Sequence, residues 1–272
     1  MAEQKSYVDN GKRGRMLTLA GLIGVGLFLL RGWGLIDINS NYDLLATSAG
    51  FFIFTYIGLL VAFKFKVTCR SMLVSISQSS IFVAGEVLFV MMFFFREFSR
   101  VSDFVFLSIL LLIIVFVTYA IFLMTNIFNV ASFKPIPLIQ VASTASFIAT
   151  VMMIYFISFA LINLAIPMIL MISLIFPIYI AIMANHFAQM SIRFRDSSII
   201  IFSTAIVGLI AFLAVLFLGS RHELSAIVPA SVVFGLIGLE MSFGKSEKKN
   251  VLLFQHILVV IAAFLVNILF NR

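Results

Sequence analysis

Long apolar runs, each ended by a short cluster of charged or turn-forming residues, repeat along the whole chain. They predict nine spanning helices, near Met16 to Ile36, Leu44 to Phe63, Ser71 to Phe95, Phe104 to Met124, Leu138 to Ile162, Leu164 to Met183, Ser198 to Leu218, Ala226 to Phe243 and Val251 to Phe270. Runs of about 20 residues are long enough to cross a hydrocarbon core of roughly 30 Å. In lipid each backbone N–H and C=O must find its partner inside the segment, so continuous runs imply helices. Barrel strands would instead alternate apolar and polar positions over about ten residues. The expected fold class is an all-α integral membrane protein, a polytopic bundle of about nine transmembrane helices with a cytoplasmic amino terminus. The least marked boundary lies between the fifth and sixth spans, where only Asn163 and Pro167 punctuate the 46 residues from 138 to 183. One crossing plus a re-entrant segment there would invert every later helix.

Charge gives the bundle its direction and speaks against that inversion. Lys5, Lys12, Arg13, Arg15, Lys64, Lys66, Arg70, Lys134, Arg193, Arg195, Lys245, Lys248 and Lys249 fall on one side, against Arg31, Arg96, Arg100, Arg221 and Arg272 on the other. The richer side is cytoplasmic by the positive-inside rule, which leaves the carboxyl terminus outside. Residues 1–15 are then a basic cytoplasmic segment and 16–272 a single transmembrane helical domain, expected in the plasma (inner) membrane. Lys12, Arg13 and Arg15 before an apolar run have the look of a signal peptide, but no small-residue cleavage site follows. The first run is expected to be a retained helix, with Trp33 and Tyr42 near the outer interface.

Composition narrows the function classes. Of the 272 residues 63% are hydrophobic and 11% charged, so a water-soluble fold would have no surface to show. The net charge of +7 would suggest a nucleic-acid partner in a soluble protein; here the basic residues sit in loops on one face, and the expected partner is the lipid bilayer. No loop exceeds about 16 residues, so a soluble catalytic or sensor domain has no room. The single cysteine, Cys69, makes an intrachain disulfide impossible.

Candidate chemistry concentrates on the third run. Ser71, Ser75, Gln78, Ser79 and Glu86 fall within an arc of about 100° on a helix, one polar stripe. Glu86 lies 15 residues from one end of its run and 9 from the other, near mid-bilayer. An isolated carboxylate costs several kcal/mol or more there, so Glu86 must be neutral, paired or facing water. Arg31, inside the outer end of the first run, is its candidate partner, with snorkelling to the headgroups as the alternative. Gln140, Ser143, Ser146, Thr150 and Ser158 make a second stripe on the fifth run, suited either to a shared hydrated cavity or to interhelical hydrogen bonds. A secondary cluster joins Glu240 to Gln255 and His256 across the short basic loop 244–250. Ser231, Gly235, Gly238 and Ser242 recur at helical spacing as a small-residue packing stripe, and the same holds for Gly21 with Gly24.

Signatures of membrane enzymes are missing. His186, His222 and His256 lie on different segments, and the chain has no H-E-x-x-H, no G-x-S-x-G, no phosphate loop and no paired acidic motif. No cofactor or metal is expected, and the many Phe and Met residues read as lipid-facing and packing groups. The expectation is a small multi-pass transporter or permease, proton-coupled if Glu86 is its protonatable centre, with a small-molecule or ion cargo. The alternative is a non-catalytic subunit or assembly factor bound to membrane partner subunits; a lipid-modifying enzyme acting through Glu240 and His256 ranks below both.

The topology has a direct test. In a Cys69→Ser background, Lys248→Cys should react with a membrane-impermeant maleimide only after the membrane is opened, whereas Arg221→Cys should react in intact cells. The reverse pattern would overturn the odd number of crossings.

Overall fold

The computed structural model describes residues 10–37, 39–65, 70–97, 103–131, 139–164, 166–189, 194–218, 223–243 and 249–270. Among them are nine α-helices and no strand: α1 (Asn10–Gly32), α2 (Asn41–Ala62), α3 (Arg70–Glu97), α4 (Asp103–Ala131), α5 (Ile139–Asn163), α6 (Met168–Gln189), α7 (Phe194–Phe217), α8 (Ile227–Phe243) and α9 (Lys249–Phe270). Eight are long and apolar enough to cross a membrane. The exception is α8, whose 17 residues rise about 25 Å and are preceded by a 3₁₀ turn, Glu223–Ala226. The chain is an all-α, multi-pass integral membrane bundle.

Local signals explain the helix ends. Ser40 caps α2, its hydroxyl accepting from the Asp43 N–H at 3.3 Å, and the Asp43 carboxylate favours the positive end of the helix. The other end of α2 closes with Lys64 N–H on the Val61 carbonyl and Phe65 N–H on the Leu60 carbonyl. Lys64 and Phe65 hold φ of 55° and 52°, a left-handed pair that glycine would adopt at lower cost. In α1 the same closure falls on Gly34, at φ 62°. Pro229 sits in the first turn of α8, where its missing N–H has no helical acceptor to lose.

The stretch 138–183 resolves into two helices. α5 ends at Asn163, whose side-chain amide donates back to the Phe159 carbonyl at 2.8 Å, and α6 starts just after Pro167. Two hydrogen-bonded rungs join them, Thr150 with His186 and Ser158 with Tyr179, and the numbering rises on one helix as it falls on the other. α5 and α6 are therefore antiparallel neighbours, not a crossing with a re-entrant arm.

Position in the bundle differs sharply between helices. In the central stretches of α3 and α5, 72% and 67% of residues are buried, against 11% in α9. α3 packs on α2, α4, α5 and α6, whereas α9 leans on α8 and the 3₁₀ turn. Small residues set the closest approaches. Gly208 of α7 lies against Tyr179 and Val233, and Gly235 and Gly238 of α8 lie against His256 of α9. A Cβ at Gly238 would fall 2.5 Å from His256 Cε1. Gly238→Val should therefore destabilise the protein by about 1–3 kcal/mol through overpacking, and adding His256→Ala should recover much of the loss. Detergent unfolding curves of the single and double variants measure it; a Gly238→Val protein of wild-type stability would contradict the packing of this seam.

Candidate functional site

α3 presents polar side chains to two sides. Toward α4, Ser79 shares a short hydrogen bond with Thr125, and seven residues further on the Thr118 hydroxyl donates to Glu86 Oε2 at 2.9 Å. The partner numbers fall by seven as the α3 numbers rise by seven, so α3 and α4 are antiparallel in a fixed register. One turn toward the basic end, the same register brings Ser75 and Asn129, both buried, to corresponding positions.

Toward α5, the Gln78 amide donates to Ser146 Oγ at 3.2 Å and to Thr150 Oγ1 at 3.1 Å. Thr150 carries the connection on to His186 Nδ1 of α6 at 3.3 Å. Gly85 of α3 meets Ile157 and Phe156 of α5 further along, so these two helices run parallel. The result is a buried polar network over four helices, Thr125–Ser79 on one flank and Gln78–Ser146/Thr150–His186 on the other, at the end of the bundle that carries the basic loops. Of the stripe residues on α3 and α5, Gln78, Ser79, Ser146, Thr150 and Ser158 make interhelical hydrogen bonds, whereas Ser143 bonds to the Ile139 carbonyl of its own helix and Gln140 is exposed.

The network has spare capacity. Among the described residues, the fully buried His186 has no hydrogen-bond partner for Nε2, and Asn185 Nδ2 beside it is likewise unmatched. Asn126 Oδ1 on α4 is also buried without a partner among them. Such groups cost about 1–3 kcal/mol each unless water or a ligand meets them. Glu86, 5% exposed, has Thr118 as its hydrogen-bond partner among the described residues.

Arg31 lies elsewhere. Its guanidinium sits 5.8 Å from the Phe95 ring centre. Phe95 is nine residues beyond Glu86 on α3, about 13 Å along the helix axis, so Arg31 stands at the end of α3 away from the basic loops and not at the Glu86 carboxyl.

The secondary cluster is only partly described. The backbones of Glu240 and Ser242 belong to α8, but their side chains, like that of Ser71, lie outside the described residues. Gln255 is exposed on α9. His256 is half-buried, its ring edge-on to Phe234 at 5.4 Å and pressed against Gly238. Ser231 bonds within its own helix, to the Val228 carbonyl at 2.8 Å.

Thr118, Thr125, Asn126, Asn185 and His186 join the site without having been singled out in the sequence. Two of them had a readable signal: Thr118 and Thr125 stand seven apart on one helical face, matching the seven-residue spacing of Ser79 and Glu86.

These features define a class, a polytopic α-helical membrane protein with a polar interior around one central helix. Comparison with family models, with curated proteins and with solved structures finds no match for this chain.

Because Gln78 bridges two helices from a buried position, Gln78→Leu should lower stability by about 1–3 kcal/mol. Gln140→Leu, at an exposed position near the start of α5, should leave it within roughly 0.5 kcal/mol of wild type. Equal effects in chemical unfolding would mean that Gln78 makes no net contribution across α3 and α5.

Proposed function

We propose that this chain is a small multi-pass permease, proton-coupled through Glu86, with α3 as the helix along which a small polar cargo or ion passes between α4, α5 and α6. The observation that carries the reading is the Glu86 carboxyl, buried at mid-depth of α3 with a single neutral donor, Thr118, among the described residues. Helix packing in lipid is served well by hydroxyls and small residues and needs no ionisable group, so an intramembrane carboxyl points to transport or proton relay. The unmatched atoms of Asn126, Asn185 and His186 supply donor and acceptor groups between Glu86 and the basic end, as a passing polar solute requires. Pro177, inside α6, breaks one backbone hydrogen bond beside this path, a feature shared with the interrupted helices of many transporters. The membrane we assign is the plasma (inner) membrane.

The competing reading is a non-catalytic subunit of a larger membrane complex. It draws on α9, which is largely uncovered and presents Gln255 outward, as a helix awaiting a partner would.

Purified protein in liposomes loaded with a pH-sensitive dye separates the two. Addition of the right solute, from a panel of amino acids, sugars, organic acids and metal cations, should move protons in wild type. Glu86→Gln, which keeps an oxygen for Thr118, should fold normally and lose that coupling. Solute-driven proton movement that survives in Glu86→Gln removes Glu86 from the mechanism. No flux with any solute, together with a stoichiometric partner copurifying in mild detergent, favours the subunit reading.

A further inference from the structure

A furrow runs along the seam between α1 and α2, well away from the polar interior. Its basic-end half is a groove of about 440 Å³ between Arg15, Thr18, Leu22, Phe54, Ile57 and Val61. Leu22, Phe54, Ile57 and Val61 are each about half exposed, so the groove opens sideways at the depth of lipid chains. Leu22 and Phe54 also wall a second groove of about 490 Å³, which continues the seam to Trp33 at the far end of α1.

Arg15 closes the basic end. Its Nε donates to the Ala62 carbonyl at 2.9 Å, one of the carbonyls that the last turn of α2 leaves open. That bond fixes the guanidinium across the mouth of the seam. The Arg15 side chain is partly exposed, and its Nη2 has no hydrogen-bond partner among the described residues. A guanidinium carries five N–H donors in one plane, and its unused donors match two phosphate oxygens. Lys12, over the Phe63 ring at 5.8 Å, and the exposed Lys64 stand at the same end. Asp37 and Asp43, the carboxylates described around these two helices, lie at the opposite end.

We propose that the seam is a binding site for one anionic phospholipid of the leaflet on the basic side. The phosphate sits on Arg15, and one acyl chain lies along Leu22, Phe54 and Ile57. Charge favours a lipid over a partner helix as the occupant: Arg15, Lys12 and Lys64 gather at one end of the seam, at the level where a phospholipid carries its phosphate, and Leu22, Phe54, Ile57 and Val61 offer apolar surface along the rest. At Gly58 the two helices touch, a Cβ there falling 2.5 Å from Leu19 Cδ1, so this contact is the floor over which the acyl chain lies.

The site is tested on the purified full-length protein in neutral detergent, by native mass spectrometry and thermal unfolding with added phosphatidylglycerol or phosphatidylcholine. Phosphatidylglycerol should bind at one copy per chain and raise the unfolding temperature, with phosphatidylcholine about tenfold weaker or worse, because it keeps the phosphate but adds a choline cation that faces Arg15, Lys12 and Lys64. Arg15→Gln should remove the preference between the two lipids. Thr18→Trp, which fills the furrow and leaves Arg15 in place, should abolish retention of either lipid while keeping the lipid-free unfolding temperature. Arg13→Gln, on the exposed neighbouring position, should bind like wild type. Equal retention of both lipids by wild type overturns the proposal, as does undiminished phosphatidylglycerol binding by Thr18→Trp or Arg15→Gln. An equal thermal shift from inorganic phosphate alone would overturn it too.

Discussion

Lipid leaves no polar group a solvent partner, and most of what is particular to this bundle follows from that constraint. The backbone meets it by forming helices, whose hydrogen bonds are internal. Helix ends meet it by local closure, as at Gly34 and Lys64, or by borrowing a donor, as where Arg15 reaches the Ala62 carbonyl. Polar side chains in the middle of spans can meet it only across a helix boundary or back onto their own backbone. Ser80, Ser143 and Thr144 take the second route, each bonding to the carbonyl four residues earlier, and link nothing. Gln78, Ser79 and Glu86 take the first, and they make α3 the axis of the structure.

The energy of each such bond is small, averaging about 0.6 kcal/mol between membrane helices. Their geometric content is larger. Two rungs seven residues apart fix α3 against α4 in one antiparallel register, and the Thr150–His186 and Ser158–Tyr179 rungs do the same for α5 against α6. Apolar side chains facing apolar lipid have little reason to prefer one register over another; a slip of one residue would strand every one of these polar groups. Close packing then acts on a register already chosen, through Gly85, Gly208 and Gly238. α9 is tied to the 3₁₀ turn by Ser225 with Asn267 near its far end, and it is the most open of the eight long apolar helices.

The fold was largely legible in the sequence, because span length and loop charge respond to the bilayer directly and need no knowledge of neighbours. The errors fell at polar helix ends. Hydropathy stopped the fourth span at Met124 and the sixth at Met183, whereas α4 runs to Ala131 and α6 to Gln189. Thr125, Asn129, Asn185 and His186 lower local hydropathy, yet each is buried within the bundle and so belongs to the helical interior. A one-dimensional reading scores each residue against lipid and cannot tell that the neighbour is protein. The α3 stripe was legible as a stripe, but not the division of its residues between α4 and α5. For Arg31 the sequence left two readings, pairing with Glu86 or reaching outward to the headgroups; the guanidinium lies by the Phe95 ring, and the Thr118 hydroxyl meets Glu86.

Polar groups in this bundle fall into two kinds, and the difference bears on what the protein does. Tyr179 and Ser158 match each other, and Ser225 matches Asn267; such groups are accounted for by assembly of the chain alone. Glu86, His186, Asn185 and Asn126 retain hydrogen-bonding capacity that no described neighbour uses. If the polar interior served packing only, replacement of the unmatched groups by apolar ones would have been favourable, since each costs more buried than it returns. A binding or conducting role reverses that balance, because the unmatched atom gains its partner when solute or proton arrives. Among the described residues the unmatched atoms beside this network lie on α4 and α6, on either side of the rungs that hold α3, and Glu86 stands further along α3. The proposed path along α3 rests on that arrangement of fixed rungs beside unsatisfied groups.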